Sequence, residues 1–189
     1  MSDRASQTLM KMALEPEWEA KFNPNAYGFR TGRSCHDAIE AIYNALKQKA
    51  KYILDADIAS CFDNIDQKVL LDKLNTTPTF KRIIKGWLKA GVMNEGKFIS
   101  TKKGTIQGGT ISPLLACVAL HGIESHVKET LANDLFQYIK KEKGKASNYA
   151  AQRSISVIFY ADDFVVIHES EEIILKTKHL IEKWIKTIG

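Results

Sequence analysis

The sequence predicts an α+β fold, with helices packed on a small antiparallel sheet, and three observations support that expectation. Two runs of β-branched and aromatic residues, Ile155 to Tyr160 and Phe164 to Ile167, are separated by Ala161-Asp162-Asp163, the pattern of a strand, tight turn and returning strand. A third apolar run, Tyr52-Ile53-Leu54, leads into Asp55 and Asp57, which period-two alternation places on one face of a short buried strand. The segments around these runs carry apolar residues at helical spacing. At 189 residues the chain has the size of one generous domain or two small ones, enough to bury a core.

Composition narrows the class without choosing a function. The 27 basic residues exceed the 22 acidic ones by 5, which is compatible with a polyanionic partner and common among other soluble proteins. Cys35, Cys61 and Cys117 are widely spaced and form no zinc or disulfide pattern, so a reducing compartment fits. The apolar runs fall short of a membrane span and the first residues lack a signal-peptide core. The expectation is a cytoplasmic protein, intracellular and soluble, with nucleoid association or an organellar setting also open and no membrane partner.

Taken in order, residues 3 to 14 place Leu9, Met12 and Ala13 at helical spacing, and Pro16 is expected to stop that helix. Residues 15 to 34 lose periodicity and hold Trp18, Phe22, Tyr27 and Phe29, an ordered loop pinned by aromatics. Within it Arg30 and Arg33 lie beside Gly28 and Gly32. Glycine lets a backbone approach a ligand closely and arginine suits phosphate oxygens, while a loop needing only positive φ values would look the same. Ser34 is a candidate N-cap for a helix from about 35 to 49, with Ala38, Ile42, Ala45 and Leu46 on its apolar side.

After the 52 to 57 strand, Phe62 lies in a tight turn, and Asp63 and Asp66 read as turn and cap residues for a helix of about 66 to 75. Residues 76 to 91 form an amphipathic helix with Phe80, Ile83, Ile84, Trp87 and Leu88 inward and a run of basic residues outward. Asn94-Glu95-Gly96 predicts a hairpin turn between two short strands. Gly104 to Gly109, with Gln107 inside it, is a glycine-rich turn before Ser112 and Pro113, which start one long helix reaching about Leu131. That turn matches neither a Walker loop nor a dinucleotide fingerprint. Residues 133 to 153 are polar and lysine-rich and read as an exposed connection, open either to solvent or to a phosphate backbone. Residues 170 to 189 form an amphipathic helix capped by Ser170, with Ile173, Ile174, Leu180, Ile181, Trp184 and Ile188 inward.

Adjacent carboxylates at a rigid turn repel unless a cation lies between them, so Asp162 and Asp163 are either a polar turn or a metal site. Phosphoryl transfer with two metal ions about 3.5–4 Å apart needs carboxylates from separate strands. Asp57 with Asp162 and Asp163 would supply them if their strands were neighbours.

The motifs then become specific. FYADDF resembles the YxDD motif of reverse transcriptases, DIASCF their first catalytic-aspartate motif, and IQGGTISPLL their QG motif. YGFRTGRSCHDAI together with QGGTISPLLACVAL is most similar to the group II intron reverse transcriptases, also called maturases or intron-encoded proteins. The order and spacing match from about residue 5 to 189. The resemblance implies a palm with an antiparallel sheet plus partial fingers, with about 1 to 50 and 78 to 104 as fingers and palm elements and 51 to 77 and 105 to 189 as palm.

The same resemblance implies RNA-directed DNA polymerisation using two Mg²⁺ ions, an RNA template, a DNA primer and dNTP, with an intron RNA as a further partner. Asp57, Asp162 and Asp163 correspond to the catalytic metal ligands, and Ile58 to a backbone carbonyl ligand. Phe62 corresponds to the steric gate against a ribose 2′-hydroxyl. Tyr160 and Ala161 correspond to primer contacts, Gln107, Gly108 and Gly109 to nucleotide and template contacts, and Arg30 and Arg33 to template or nucleotide contacts in the fingers motif.

Two positions depart from the family pattern: Thr31 and Ile106 stand where proline is usual. Against the family, the N-terminal fingers segment, thumb and maturase segments are expected to be absent. A truncated or split fragment that binds RNA, or is inactive alone unless another chain supplies those segments, is therefore the alternative expectation.

Overall fold

The computed structural model describes residues 2–94, 97–99, 101, 103–106 and 108–189. In chain order the elements are α1 (Ser2–Glu19), α2 (Cys35–Leu46), β1 (Tyr52–Asp57), α3 (Cys61–Asn64), α4 (Gln67–Leu74), α5 (Pro78–Leu88), β2 (Val92–Asn94) and β3 (Lys97–Ile99). They continue as α6 (Ser112–Leu120), α7 (Ile123–Thr130), α8 (Ala132–Lys143), α9 (Asn148–Ser154), β4 (Ser156–Tyr160), β5 (Asp163–His168) and α10 (Glu171–Ile185). Small antiparallel sheets among helices make this the expected α+β fold. No helix among the described residues is long and apolar enough to cross a membrane.

The chain divides into two compact units. The first comprises Met1–Phe22, Ala59–Leu120 and Ile188–Gly189. Its centre is α6, in which seven of nine residues are buried, so the helix is apolar all round rather than on one stripe. Leu70, Leu71 and Leu74 of α4, Ile84 and Leu88 of α5, and Met10, Leu14 and Trp18 of α1 complete the core. Gln67 Nε2 donates to the carbonyls of Leu88 and Gly104, at 3.0 and 3.2 Å. One side chain thereby closes the end of α5 and holds the glycine turn. The two strands β2 and β3 pair antiparallel as expected, while the Glu95-Gly96 turn between them lies outside the described residues.

The second unit comprises Asn23–Ile58 and His121–Thr187 and holds the three-stranded antiparallel sheet, ordered β1-β5-β4. Helix α2 packs on one sheet face, where Tyr27, Ala38, Ile158 and Ile167 are buried together with partly buried Ile42, Ala45 and Val165. Phe164, Val166 and His168 alternate onto the other face and are buried, and α10 packs against β5 and β1. Ser34 caps α2 as expected, in a reciprocal capping box with Asp37.

Several sequence expectations are corrected. Helix α1 runs through Pro16 to Glu19, because burial of Leu14 and Trp18 outweighs the hydrogen bond that proline removes. Helix α2 ends at Leu46 rather than near 49. Strand β1 is half-exposed, not buried: it is an edge of the sheet, and Tyr52 and Ile53 are each about half-exposed. Phe62 lies in the single-turn helix α3. Ile83, expected inward, is exposed on α5. The helix expected from 113 to 131 is two helices, broken where Gly122 adopts φ +98°.

The largest correction is at 133 to 153, where α8 and α9 replace the exposed connection. Leu131, Leu135 and Ile139 recur every four residues and are buried, so the lysines mark only the outer side. Ser170 occupies the N-cap of α10 without a side-chain cap bond, and its N–H instead donates to His168 Nδ1 at 2.9 Å.

Candidate active site

The register of the sheet brings three of the singled-out side chains into one cross-strand row. Tyr160 of β4 is the partner of Asp163 of β5, and Asp163 is the partner of Asp57 of β1. Residues directly opposite in an antiparallel sheet share a face with Cα atoms about 4.5–5.5 Å apart. Two carboxylates from separate strands and a phenol therefore stand side by side at one end of the sheet. All three are exposed, and Asp162 lies one residue away in the turn.

Backbone geometry explains how the turn is held. Only Ala161 and Asp162 join β4 to β5, and Ala161 takes φ +60°, a left-handed conformation that costs a residue with a Cβ about 1–2 kcal/mol. Ile58 N–H donates to the carbonyl of Asp162 at 3.2 Å, tying the end of β1 to the turn. On the other side, Tyr27 N–H donates to Phe159 O and Phe159 N–H to Asn25 O, both at 2.9 Å, and Ala26 and Phe159 form a parallel bridge. Asn25 is in turn held by Glu124, which is buried and also pairs with Lys128 at 2.6 Å.

This loop contains a residue whose role sequence reasoning did not reach. A Cβ built on Gly28 would lie 2.0 Å from Ala161 N and 2.7 Å from Ala161 Cα. Gly28 thus approaches the backbone of the Asp-Asp turn rather than a ligand. A glycine in an aromatic loop signals a close approach in the sequence, but nothing there names what approaches. Gly32 at φ +75° has open space around it and needs glycine for its dihedral alone.

Arg30 is buried, and its Nη1 donates to the carbonyls of Asn23 and Ala26 at 2.7 and 2.6 Å. The guanidinium braces the loop from inside. Arg33 stacks over the Tyr27 ring, 5.7 Å from its centroid.

In the first unit, Phe62, Asp63, Gly108, Gly109 and Ser112 line a cavity of about 370 Å³. Phe62 is positioned by the glycine turn: Thr105 N–H donates to Phe62 O at 2.7 Å, and a Cβ on Gly104 would lie 2.7 Å from the same carbonyl. Gln107 lies outside the described residues. Asp66 is the N-cap of α4, accepting from Lys68 and Val69 N–H, which is the structural role expected of it.

Whether the aspartates suit a hard cation is a matter of donor chemistry. Among the described residues, Asp57, Asp162 and Asp163 make no ion pair or side-chain hydrogen bond, so their oxygens are uncommitted. Carboxylate oxygens on rigid backbone are the donors Mg²⁺ prefers, and the residues fit such an ion. Their side chains do not already converge: no group of three or more acidic, histidine or cysteine residues among those described is close enough to hold a metal.

A profile of the reverse transcriptase (RNA-dependent DNA polymerase) family matches residues 1–189. Protein YkfC of Escherichia coli K12 is 29% identical over 184 residues, covering 88% of this chain and 48% of YkfC. The group II intron-encoded protein LtrA of Lactococcus lactis is 35% identical over 129 residues, covering 67% of this chain and 21% of LtrA. The chain thus spans about half of the first relative and a fifth of the second. Among solved structures, telomerase from Candida albicans matches with a TM-score of 0.59 at 15% identity, covering 97% of this chain and 32% of that one, a likeness of fold. With the family profile matched along its whole length, the chain belongs to the reverse transcriptase (RNA-dependent DNA polymerase) family.

Proposed function

We propose that this chain carries the nucleotidyl-transfer centre of an RNA-directed DNA polymerase, with Asp57, Asp162 and Asp163 as ligands for two Mg²⁺ ions. The observation that carries the reading is the cross-strand row, which sets Asp57 opposite Asp163 with Asp162 in the adjoining turn. Magnesium bound there would polarise the phosphoryl oxygens and favour the ionised primer hydroxyl. Ile58 has its N–H committed to Asp162 and its carbonyl available as a further ligand.

On this reading the primer 3′-hydroxyl attacks the α-phosphate of a dNTP and pyrophosphate leaves. Tyr160 and Ala161 lie against the primer end. Gln107, Gly108 and Gly109 are assigned to nucleotide and template contact, and Phe62 to the gate against a ribose 2′-hydroxyl. The division into fingers and palm over residues 1 to 50 and 78 to 104, and 51 to 77 and 105 to 189, belongs to the same reading, as do an intron RNA partner and a cytoplasmic setting. Arg33 is the stronger candidate for template contact, since Arg30 is engaged with loop carbonyls.

The test is extension of a DNA primer on an RNA template with Mg²⁺, comparing the chain with Asp163→Asn. Loss of one ligand is expected to remove several kcal/mol of transition-state stabilisation, a fall of about 1,000-fold. Manganese binding followed by electron paramagnetic resonance should weaken in parallel. Equal incorporation by both proteins would remove the assigned site. Phe62→Ala is expected to lower the preference for dNTP over rNTP by about 10–100-fold, measured as the ratio of kcat/KM values. An unchanged ratio would refute the gate.

A further inference from the structure

Helices α4 and α5 of the first unit enclose a groove of about 510 Å³ whose charged lining is unevenly committed. Four lysines face it, Lys68 from α4, Lys81 and Lys85 from α5 and Lys89 at the C-cap of α5, together with two acids, Asp66 and Asp72. Both acids are occupied. Asp66 accepts from Lys68 and Val69 N–H at 2.8 and 2.9 Å as the cap of α4, and Asp72 pairs with Lys81 at 2.7 Å. Among the described residues, the ammonium groups of Lys68, Lys85 and Lys89 make no hydrogen bond or ion pair, and all three side chains are exposed.

We propose that this groove is an RNA-docking site, in which Lys68, Lys85 and Lys89 contact consecutive phosphates of a single strand. Three features favour a linear polyanion. Lys81, Lys85 and Lys89 recur every four residues, so they form one stripe with steps of about 6 Å along the helix. Three ammonium groups that make no hydrogen bond or ion pair share one groove, with only Lys68 also in the field of Asp72, and together they exceed what a single phosphate needs. Leu71 is the apolar residue of the lining, so the groove lacks the aromatic or aliphatic anchors on which a protein partner's binding energy concentrates. Lysines act as point charges and give backbone contact without base reading, so binding there is expected to be indifferent to sequence. The groove shares no residue with the cavity beside Phe62 and needs no metal.

The experiment measures binding of a fluorescein-labelled single-stranded RNA by anisotropy over a salt series, in EDTA, so that it is independent of polymerase chemistry. Lys68→Gln/Lys85→Gln/Lys89→Gln is expected to weaken binding at least about tenfold at low salt. It is also expected to flatten the dependence of log K on log salt by about 2, since each single-strand phosphate that is no longer neutralised removes roughly 0.7 from the slope. Thermal melting should be unchanged, because the three side chains are exposed.

Lys140→Gln/Lys141→Gln/Lys143→Gln on α8 removes the same charge elsewhere and is expected to leave binding within about twofold. An equal loss in the two variants would show that net charge alone is at work and would overturn the groove. No effect of the first variant would overturn it too, and so would competition by polyglutamate as strong as that by RNA, which would indicate an acidic protein. Failure of the Asp163→Asn test would leave this outcome untouched.

Discussion

Gly28→Ala is expected to lower the unfolding free energy by about 3 kcal/mol, at the upper end of what overpacking a well-filled site costs. The added Cβ would meet Ala161 N at 2.0 Å, Ala161 Cα at 2.7 Å and Tyr160 C at 2.8 Å. These are backbone atoms, so no side chain can swing away and either the loop or the turn must move. The loop is tied to β4 by two backbone hydrogen bonds, and the turn is tied to Ile58 by one. Ala161 already sits at φ +60°. Movement is therefore expected where the turn is most strained, carrying Asp162 and Asp163 with it.

A displacement of about 1 Å at reacting groups costs roughly 100-fold in rate. On the polymerase reading, extension should fall by that factor at a temperature where the variant is still folded, with weaker manganese binding. Adding Ala161→Gly should recover about 1 kcal/mol, since glycine accepts an altered turn. Guanidinium denaturation reads the stability, and a Gly28→Ala midpoint equal to that of the unaltered chain would show that the close approach does not constrain the turn.

That close approach also shows where sequence reasoning stops. The hairpin, β1 and the Asp66 and Ser34 caps are legible because each is written in local chemistry: alternation of period two, two residues between strands, a carboxylate or hydroxyl before a helix. The pairing of Asp57 with Asp163 depends on which strand lies beside β5, and alternation cannot supply that. Gly28 against Ala161 depends on the same assembly, across more than 130 residues of chain.

Helix α8 escapes sequence reasoning for a different reason. Its lysines draw the eye to the polar side, and only the four-residue recurrence of Leu131, Leu135 and Ile139 marks the buried one. Conversely, an apolar pattern that continues from Ser112 past Gly122 conceals a break that only the backbone dihedral reveals. Arg30 shows the ambiguity of charge: beside glycines it reads as a phosphate ligand, yet in the fold its guanidinium serves the carbonyls of its own loop.

A buried lysine supplies the other large effect. Lys73 of α4 is largely enclosed, and its Nζ donates to the carbonyl of Ala119 at 2.7 Å, in the last turn of α6. Burial disfavours the ammonium form and takes its pKa from the ordinary 10.5 down to about 8. In the unfolded chain the ordinary value returns. Between pH 8 and 10.5 the unfolded chain therefore holds a proton that the folded chain has released. Unfolding takes up that proton, so raising the pH stabilises the fold across this window.

Below pH 8 both states are protonated and the full cost of burying the charge remains. That cost is about 2 kcal/mol, after discounting the shift for the part of the side chain that solvent still screens. Lys73→Met keeps the length of the side chain and removes the titration. Relative to this variant, the unaltered chain should gain about 2 kcal/mol between about pH 7 and pH 10.5 in urea denaturation, other groups cancelling in the difference. The hydrogen bond to Ala119 opposes the charge cost at neutral pH, being worth about 1 kcal/mol, and survives in the neutral amine. The methionine variant should therefore be the more stable protein at neutral pH and the less stable one at pH 10.5. A difference that stays constant over the range would show that Lys73 keeps its ordinary pKa and that its ammonium is solvated in the folded chain.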